Sequence, residues 1–523
     1  MKIALAQLNY TIGDFEENKA AIIDRIIRAK THGADLVIFA EQAISGTPAF
    51  DLLNKVDFLN LCEDALTEIA SHCDELTAIV GLPMQDGRQT VSVAAVLQNC
   101  AVKRYVGKQN ISKREESWHL SPSRGCDYIT VNNSKVAVVV GEDLTSGLSV
   151  GEQADLIVNL DANAYCRGVI EQRYERLRST AFTNGKPLAF VNQIGGQSDV
   201  IYDGSSAVFN SRGEAIALLK SFEEDFAVVD LTARNKPIPL PFQDKTYNVY
   251  RAIKLGLKDF FVKNGFRKAC LGLSGGIDSA VVLAMAAEAI GPENIKVLMM
   301  PSQFSSDHSV EDAVQMADGM RVEYSVVPIT EIYTSAVDTM KPVIGGTEFD
   351  RTEENIQARI RCMLIMSLSN KYNYVLLNTS NKSECALGLG TLYGDATGTL
   401  SIIGDLYKIE VYDLARFINR RREIIPENII LKEPSAELRP QQKDGDLLPP
   451  YDVLDAIISR MVDQGQSREE IINAGFDAET VQKVYSMILR NEHKRYQFCP
   501  TLQLSARPFG RGRVMPLASK YGF

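Results

Sequence analysis

The sequence predicts an α/β protein built from two successive domains. In both halves, short apolar runs of strand length alternate with longer segments whose apolar residues recur at helical spacing. A stiff stretch separates the halves, because three prolines within five residues exclude both a helix interior and a central strand. We therefore expect one domain over residues 1–235, a linker over residues 236–245 and a second domain over residues 246–523.

The first half is expected to form strands that are covered on both faces or packed in a sandwich. Apolar residues at helical spacing predict a helix over residues 18–32. Compact apolar runs, most of them followed by turn-forming Gly, Asn or Asp, predict strands at residues 3–8, 36–39, 136–140, 156–158 and 188–191.

The second half has the pattern of an open, doubly wound, mostly parallel sheet with helices on both faces. One helix is expected over residues 247–266 and another over residues 280–284. The apolar runs predict strands at residues 270–273, 295–300, 324–327 and 374–377.

Composition and charge exclude several classes of function. The formal net charge of -10 argues against a general nucleic-acid binder, because phosphate backbones recruit basic surfaces. No apolar run approaches the ~20 residues that span a bilayer, and the N-terminus lacks the features of a signal peptide. The nine cysteines form no Cys-x-x-Cys pair, so no zinc ribbon or disulfide framework is expected. We expect a soluble, cytoplasmic protein without nucleic-acid or membrane partners.

A candidate phosphate-binding loop follows the strand at residues 270–273. The loop consists of Ser274, Gly275, Gly276, Ile277, Asp278 and Ser279. Its glycines let backbone N–H groups turn toward a ligand, and the following helix contributes the positive end of its dipole. A lone Gly-Gly pair would be an ordinary turn, but the strand before it and the helix after it favour phosphate binding. The Walker loop is excluded, because no Gly-Lys-Ser/Thr ending is present.

The loop resembles that of the ATP pyrophosphatases, and the rest of the second half resembles NAD synthetases over nearly all of residues 245–523. The matching segments are residues 300–302, 354–361, 379–384, 391–395, Lys408 and residues 509–513. The resemblance implies that ATP adenylates the nicotinate carboxylate of deamido-NAD and that ammonia then displaces AMP. It also implies a homo-oligomer.

The resemblance assigns a role to each matching residue. The loop and Thr379 would bind ATP, and Asp278 and Glu384 would bind Mg²⁺, a hard cation that prefers carboxylate oxygens. Lys408 would neutralise the charge of the departing pyrophosphate.

The deamido-NAD substrate would meet residues of two further segments. Asn355, Arg359 and Asp395 would bind it, with Asp395 near the nicotinate. Two interpretations stay open for Arg359 and Arg361, which could contact the ligand or lie as charges on the helix surface.

The first half resembles the nitrilase-type amidase domain that is fused to glutamine-dependent NAD synthetases, which implies an αββα sandwich. In that family a Glu, a Lys and a Cys release ammonia from glutamine. Glu41 matches the general base, and Lys108 matches the lysine that stabilises the tetrahedral intermediate.

The nucleophile of that family is missing from this chain. The family has Cys-Glu-Asp-Leu where this sequence has Gly141 followed by Glu-Asp-Leu. The family motifs near residues 39–41, 111–114 and 195–199 are also altered. These changes together predict an inactive glutaminase domain with a structural or oligomer-forming role, and ammonia as the nitrogen donor.

Alternatives to this interpretation remain at the level of sequence. Gly141 could be an engineered change in a fully glutamine-dependent synthetase, or another nucleophile such as Cys166 could compensate, although a packing role fits Cys166 better. The chain could be another ATP pyrophosphatase, of the GMP- or asparagine-synthetase kind, or a non-catalytic nucleotide sensor.

Overall fold

The computed structural model describes the chain apart from residues 112–115, 124–127, 146–152, 346–347, 441, 443–444, 446–447 and 521–523. The chain divides into two compact units, Met1–Gln243 and Asp244–Phe523. Within the described residues, no helix is both long and apolar enough to cross a membrane.

Within the described residues, the N-terminal unit has two six-stranded sheets, a two-stranded ribbon and three α-helices. Its strands are β1 (Lys2–Gln7), β2 (Leu36–Ile38), β3 (Thr77–Asp86), β4 (Gln89–Gln98), β5 (Ala101–Gly107), β6 (Tyr128–Val131), β7 (Ser134–Val140), β8 (Leu156–Asp161), β9 (Leu188–Asn192), β10 (Ile194–Gln197), β11 (Val200–Asp203), β12 (Ala207–Phe209), β13 (Ala215–Leu218) and β14 (Asp225–Asp230). Its helices are α1 (Phe15–Thr31), α2 (Val56–Ser71) and α3 (Val169–Asn184). One sheet has the order β14-β1-β2-β3-β4-β5 and the other β13-β12-β9-β8-β7-β6.

The two sheets share a core, and helices cover their outer faces. Because side chains alternate along a strand, Ile3 and Leu5 of β1 join Val138 of β7 in the inter-sheet core. Ala4 and Ala6 point the other way, into a second core that includes α1 and α2. Helix α3 packs against β9 and β12 of the other sheet. The predicted αββα sandwich is confirmed.

The C-terminal unit is built on a five-stranded parallel sheet. Its strands are β15 (Ala269–Gly272), β16 (Ile295–Met299), β17 (Glu323–Val326), β18 (Val375–Asn378) and β19 (Leu400–Ser401). Its helices are α4 (Lys245–Asn264), α5 (Ile277–Ile290), α6 (Asp307–Met320), α7 (Thr330–Ile344), α8 (Arg351–Tyr372), α9 (Lys382–Leu387), α10 (Lys408–Ile418), α11 (Glu427–Leu431), α12 (Tyr451–Val462), α13 (Arg468–Asn473), α14 (Ala478–Arg490) and α15 (Glu492–Arg495).

The order of this sheet creates a binding crevice. The strands lie in the order β17-β16-β15-β18-β19, and each neighbouring pair is parallel. The chain therefore moves outward from β15 to β17 and returns to the other side at β18. In doubly wound sheets, ligands bind outside the carboxyl ends of the strands at such a reversal. The predicted parallel sheet is confirmed, with each predicted strand found within two residues of its expected bounds.

The first helix of the C-terminal unit begins two residues earlier than predicted. Its first residue is Lys245, because the Asp244 side chain accepts a hydrogen bond from the backbone N–H of Tyr247 and caps the helix. The proline-rich stretch before it has no helix or strand.

Candidate functional site

The phosphate loop lies where the strand order of the C-terminal sheet reverses. It joins the end of β15 to α5, which begins at Ile277. Gly275 has a φ of +78°, and a Cβ there would lie 2.1 Å from the carbonyl oxygen of Ser309. Only glycine fits this conformation and this close backbone approach.

The two serines of the loop hold its shape. Ser279 Oγ accepts the backbone N–H of Ser274 at 3.2 Å and donates to the Gly276 carbonyl at 3.0 Å. Ser274 Oγ in turn accepts the N–H of Gly276 at 3.2 Å. The loop is therefore ordered by its own side chains, next to the N-terminus of α5.

A cavity of about 390 Å³ opens beside this loop. Most of the residues to which the resemblance assigned a role in this half line it: Ser274, Gly276, Ile277, Asp278, Ser279, Thr379, Glu384, Asp395 and Lys408. They come from two parts of the chain, residues 274–279 and 379–408, which lie about a hundred residues apart. Gly275, Asn355 and Arg359 do not line it.

Three charged side chains meet at the inner end of the loop. The Lys408 ammonium forms an ion pair with Asp278 Oδ2 and is almost fully buried. Burial alone would lower the pKa of Lys408, but the carboxylates of Asp278 and Glu384 raise it, so this lysine stays charged. Burial and the charge of Asp278 raise the pKa of Glu384 to about 8. The cluster therefore favours additional positive charge.

The segment predicted to meet the second substrate is fixed by hydrogen bonds. Asp395 Oδ1 accepts the N–H of Thr391 at 2.7 Å, and burial raises the pKa of Asp395. Asn355 does not reach the cavity; its Oδ1 accepts the hydroxyl of Thr391 at 2.7 Å. Asn355 therefore supports the segment that carries Asp395.

The two arginines of α8 differ in position. Arg359 is exposed, and its Nε donates to the carbonyl of Leu392 at 3.3 Å. Arg361 lines the cavity, donates to the Met300 carbonyl at 3.0 Å, and has a pKa lowered by burial. A ligand in this cavity would meet Arg361 before Arg359.

The residues of one wall of the cavity were not predicted from the sequence. The Glu437 carboxylate accepts the N–H of Ser306 at 3.1 Å, its hydroxyl at 2.9 Å and the hydroxyl of Ser309 at 2.7 Å, while Lys432 Nζ lies 3.2 Å away. Glu437 and Lys432 both line the cavity. Ser306 and Glu437 lie 131 residues apart in sequence, so no local sequence pattern could have predicted their contact.

Replacing the Glu437 carboxylate tests how strongly this wall is held. Burial alone would raise the pKa of Glu437, but hydrogen bonds from Ser309 and Ser306 hold it below its ordinary value. The stabilisation is therefore complete above the ordinary pKa and lost as the pH falls through the lowered one. We expect Glu437→Gln to lower the unfolding free energy by about 1–3 kcal/mol at pH 7. The deficit should shrink below about pH 4.

Chemical unfolding at pH 7, 5 and 3 measures this effect, because the loss is expected only below the ordinary pKa of the carboxyl group. Glu427→Gln, at an exposed position of α11, is the control and should change the unfolding free energy by less than about 0.5 kcal/mol. A Glu437→Gln deficit that is absent at pH 7, or independent of pH, would contradict the argument.

A second candidate site lies in the N-terminal unit, where the structure brings Glu41 and Lys108 together. Lys108 Nζ lies 3.1 Å and 3.3 Å from the two carboxylate oxygens of Glu41, and both side chains are fully buried. The hydroxyl of Ser92 donates to Glu41 Oε1 at 2.8 Å. Desolvation opposes a buried ion pair, so removal of either partner would leave an uncompensated buried charge.

Gly141 faces this ion pair directly. It follows β7, has a φ of +56°, and its carbonyl accepts Asn159 Nδ2 at 3.0 Å. A Cβ at this position would lie 2.8 Å from Glu41 Oε2 and 2.9 Å from Lys108 Nζ. Any side chain at position 141 would therefore point at both charged groups.

Two further expectations from the sequence concern residues 111–114 and Cys166. Residues 112–114 of the altered 111–114 segment lie outside the described residues. Cys166 is partly buried before α3, and its carbonyl accepts the N–H of Val169 at 3.0 Å.

Known proteins are similar to this chain over both of its halves. The NAD synthase family model matches residues 249–498. The glutamine-dependent NAD(+) synthetase of Thermotoga maritima is 37% identical over 100% of this chain and 99% of its own length. That of Synechocystis sp. is 38% identical over 99% of each chain.

Solved structures agree over the same length. The glutamine-dependent NAD+ synthetase from Acinetobacter baumannii, in complex with ADP, has 34% identity and a TM-score of 0.79, covering 99% of this chain and 98% of its own. The Cytophaga hutchinsonii protein, at 21% identity, shares the fold with a TM-score of 0.88 over 100% of this chain and 98% of its own.

Proposed function

The chain belongs to the family of glutamine-dependent NAD(+) synthetases, and we propose that it departs from the family in taking free ammonia instead of glutamine as its nitrogen donor. It is a ligase that synthesises NAD with ATP as co-substrate. This membership sets aside the alternatives of another ATP pyrophosphatase and of a non-catalytic sensor.

The glycine at position 141 is the observation that carries the proposal. A thioester needs a side-chain sulfur, and glycine has none. The virtual Cβ of Gly141 points at Glu41 and Lys108, which is where a nucleophile would need its base. The base and the lysine are thus kept, and the nucleophile they would serve is lost. Loss of a covalent nucleophile removes many orders of magnitude of rate.

In the C-terminal unit we propose adenylation at the 390 Å³ cavity. A carboxylate oxygen of deamido-NAD attacks the α-phosphorus of ATP, the bond to the β-phosphate oxygen breaks, and pyrophosphate leaves. Ammonia then attacks the acyl carbon, AMP leaves, and the amide nitrogen loses its extra proton to solvent. The phosphate loop with Thr379 binds ATP, and Lys408 stabilises the charge that develops on pyrophosphate.

The second substrate would meet the other lining residues. We propose that Asp395 and Arg361 contact deamido-NAD, since both reach the cavity, and that Asn355 acts indirectly through Thr391. Arg359 would contribute only from outside the cavity.

The donor set at the loop fits Mg²⁺. Asp278 and Glu384 supply two carboxylates, and no cluster of three His, Cys, Asp or Glu side chains that could hold a metal occurs within the described residues. Magnesium is commonly held by one or two carboxylates together with substrate phosphates, so ATP would complete its ligands. Bound there, Mg²⁺ would offset the negative charge of the triphosphate.

The N-terminal unit would then serve as a structural or oligomer-forming part. Buried residues of its two sheets pack together in one inter-sheet core. We propose a homo-oligomer, as the resemblance implies, and a cytoplasmic location, as expected from the sequence.

Parallel assays with the two nitrogen donors test the proposal. Purified protein is supplied with deamido-NAD, ATP and Mg²⁺, and NAD is measured with ammonium or with ammonia-free glutamine. We expect turnover with ammonium and at least a thousandfold lower kcat/KM with glutamine. Equal rates would overturn the proposal. If glutamine is used, a loss of that activity in Cys166→Ala would identify a compensating nucleophile.

A further inference from the structure

Asn381 connects the two carboxylates of the proposed cation site. It is fully buried and precedes α9 as its N-cap residue. Its Nδ2 donates to Asp278 Oδ1 at 2.9 Å. Its Oδ1 accepts the backbone N–H of Glu384 at 3.0 Å, and its own N–H donates to Glu384 Oε2 at 3.2 Å.

These contacts serve two purposes, the capping of α9 and a hydrogen bond to Asp278. A capping box needs only an acceptor side chain at the N-cap, and Ser or Thr would satisfy that need as well as Asn. The amide contributes something that a hydroxyl cannot, namely a second group, the donor Nδ2, aimed away from the helix at Asp278. The additional donor therefore has no part in capping.

The two oxygens of Asp278 consequently have different partners. Asn381 Nδ2 binds Oδ1, and Lys408 Nζ binds Oδ2. With both partners present, the carboxylate is fixed in one orientation relative to Glu384. Without Nδ2, it is free to rotate toward the buried ammonium of Lys408.

We propose that Asn381 is a positioning residue: its side-chain Nδ2 holds the Asp278 carboxylate and its backbone N–H holds the Glu384 carboxylate, in the mutual orientation that binds the cation of the ATP complex. This inference rests on the proposed function, because it takes the cation to be the one that accompanies ATP. Asn381 itself is not a catalytic residue, since it acts through Asp278 and Glu384.

The test replaces the donor and keeps the cap. Asn381→Ser and Asn381→Thr each retain a capping hydroxyl but lack the Nδ2 donor, because the side chain is one bond shorter. The control, Ser467→Ala, removes the N-cap of another capping box in the same unit, at α13. Thermal unfolding of all three variants separates loss of fold from loss of cation binding.

Manganese binding gives a readout that does not depend on turnover. Mn²⁺ is titrated into each protein with α,β-methylene-ATP, and free Mn²⁺ is followed by electron paramagnetic resonance. We expect the Kd for Mn²⁺ to rise at least fivefold in both Asn381 variants and to stay within twofold of the parent in Ser467→Ala. The half-saturating Mg²⁺ for NAD formation should rise in parallel, while the KM for deamido-NAD stays constant.

Two results would overturn the inference. One is unchanged Mn²⁺ binding in a folded Asn381 variant, and the other is failure of both variants to fold, which would make Asn381 a folding residue. If the parent makes no NAD with either nitrogen donor, the proposed function fails, while the Mn²⁺ comparison still decides the role of Asn381.

Discussion

Lys408→Met is expected to lower the kcat for NAD formation by about a thousandfold. Removal of one preorganised charge that faces developing negative charge typically lowers rates by a factor of about 10²–10³. The effect should be at the upper end here, because the ammonium is buried and forms an ion pair with Asp278. It also lies 5.6 Å from the centre of the Tyr451 ring, which limits its movement.

The kinetic pattern distinguishes a role in the transition state from a role in binding. If Lys408 acts on the departing pyrophosphate, kcat falls far more than the KM for ATP rises. Steady-state rates with saturating ammonium measure both parameters. The control is Lys254→Met, which removes an exposed ion pair with Glu288 and should change kcat by less than twofold. A kcat for Lys408→Met within tenfold of the parent would exclude the proposed role.

Gly275→Ala is expected to abolish adenylation, with a loss of at least a hundredfold in ATP-dependent pyrophosphate release. The new Cβ would overlap the carbonyl oxygen of Ser309 at 2.1 Å, and that oxygen is backbone, so relief requires the loop to move relative to α6. The φ of +78° adds strain, because L side chains rarely adopt it. Both effects displace the N–H groups that would face the phosphates.

The adjacent glycine provides a matched comparison for this variant. Gly276 has a φ of -95°, and a Cβ there would meet only the hydroxyl of Ser274, at 3.3 Å. Gly276→Ala should therefore lose at least tenfold less activity than Gly275→Ala. Pyrophosphate release with deamido-NAD measures both variants, and thermal unfolding checks that they fold. Equal losses would show that loop composition matters, not the contact with Ser309.

Local patterns were sufficient for most parallel strands, although β3 and the two-residue β19 were not predicted. Parallel strands are covered on both faces and therefore leave continuous apolar runs, such as those that became β8 and β15. The strands β3, β4 and β5, which pair antiparallel with one another, were not predicted, although they form half of one sheet. Their register is fixed by pairing with neighbours, which periodicity in one segment does not record.

The candidate site residues also divide into those that local sequence patterns predicted and those that required the folded structure. Motif order was enough to select the phosphate loop, Asp278, Glu384 and Lys408, because each carries a chemistry that phosphate or a cation requires. The choice between Arg359 and Arg361 needed the helix to be placed, since residues two apart point to nearly opposite faces of a helix and only one of those faces borders the cavity. The position of the Glu437 carboxylate likewise depends on a contact between distant segments.

The sequence alone determined the α/β class of both halves, the candidate phosphate-binding loop at residues 274–279 and the absence of a sulfur at position 141. These follow from side-chain chemistry and short-range periodicity, which are properties of the chain itself. Only the tertiary structure decided that Gly141 faces Glu41 and Lys108, that Ser309 leaves no room for a side chain at Gly275, and that Asn381 joins Asp278 to Glu384. Each of these is a contact between residues far apart in sequence, and only packing of the folded chain brings such residues within hydrogen-bonding distance.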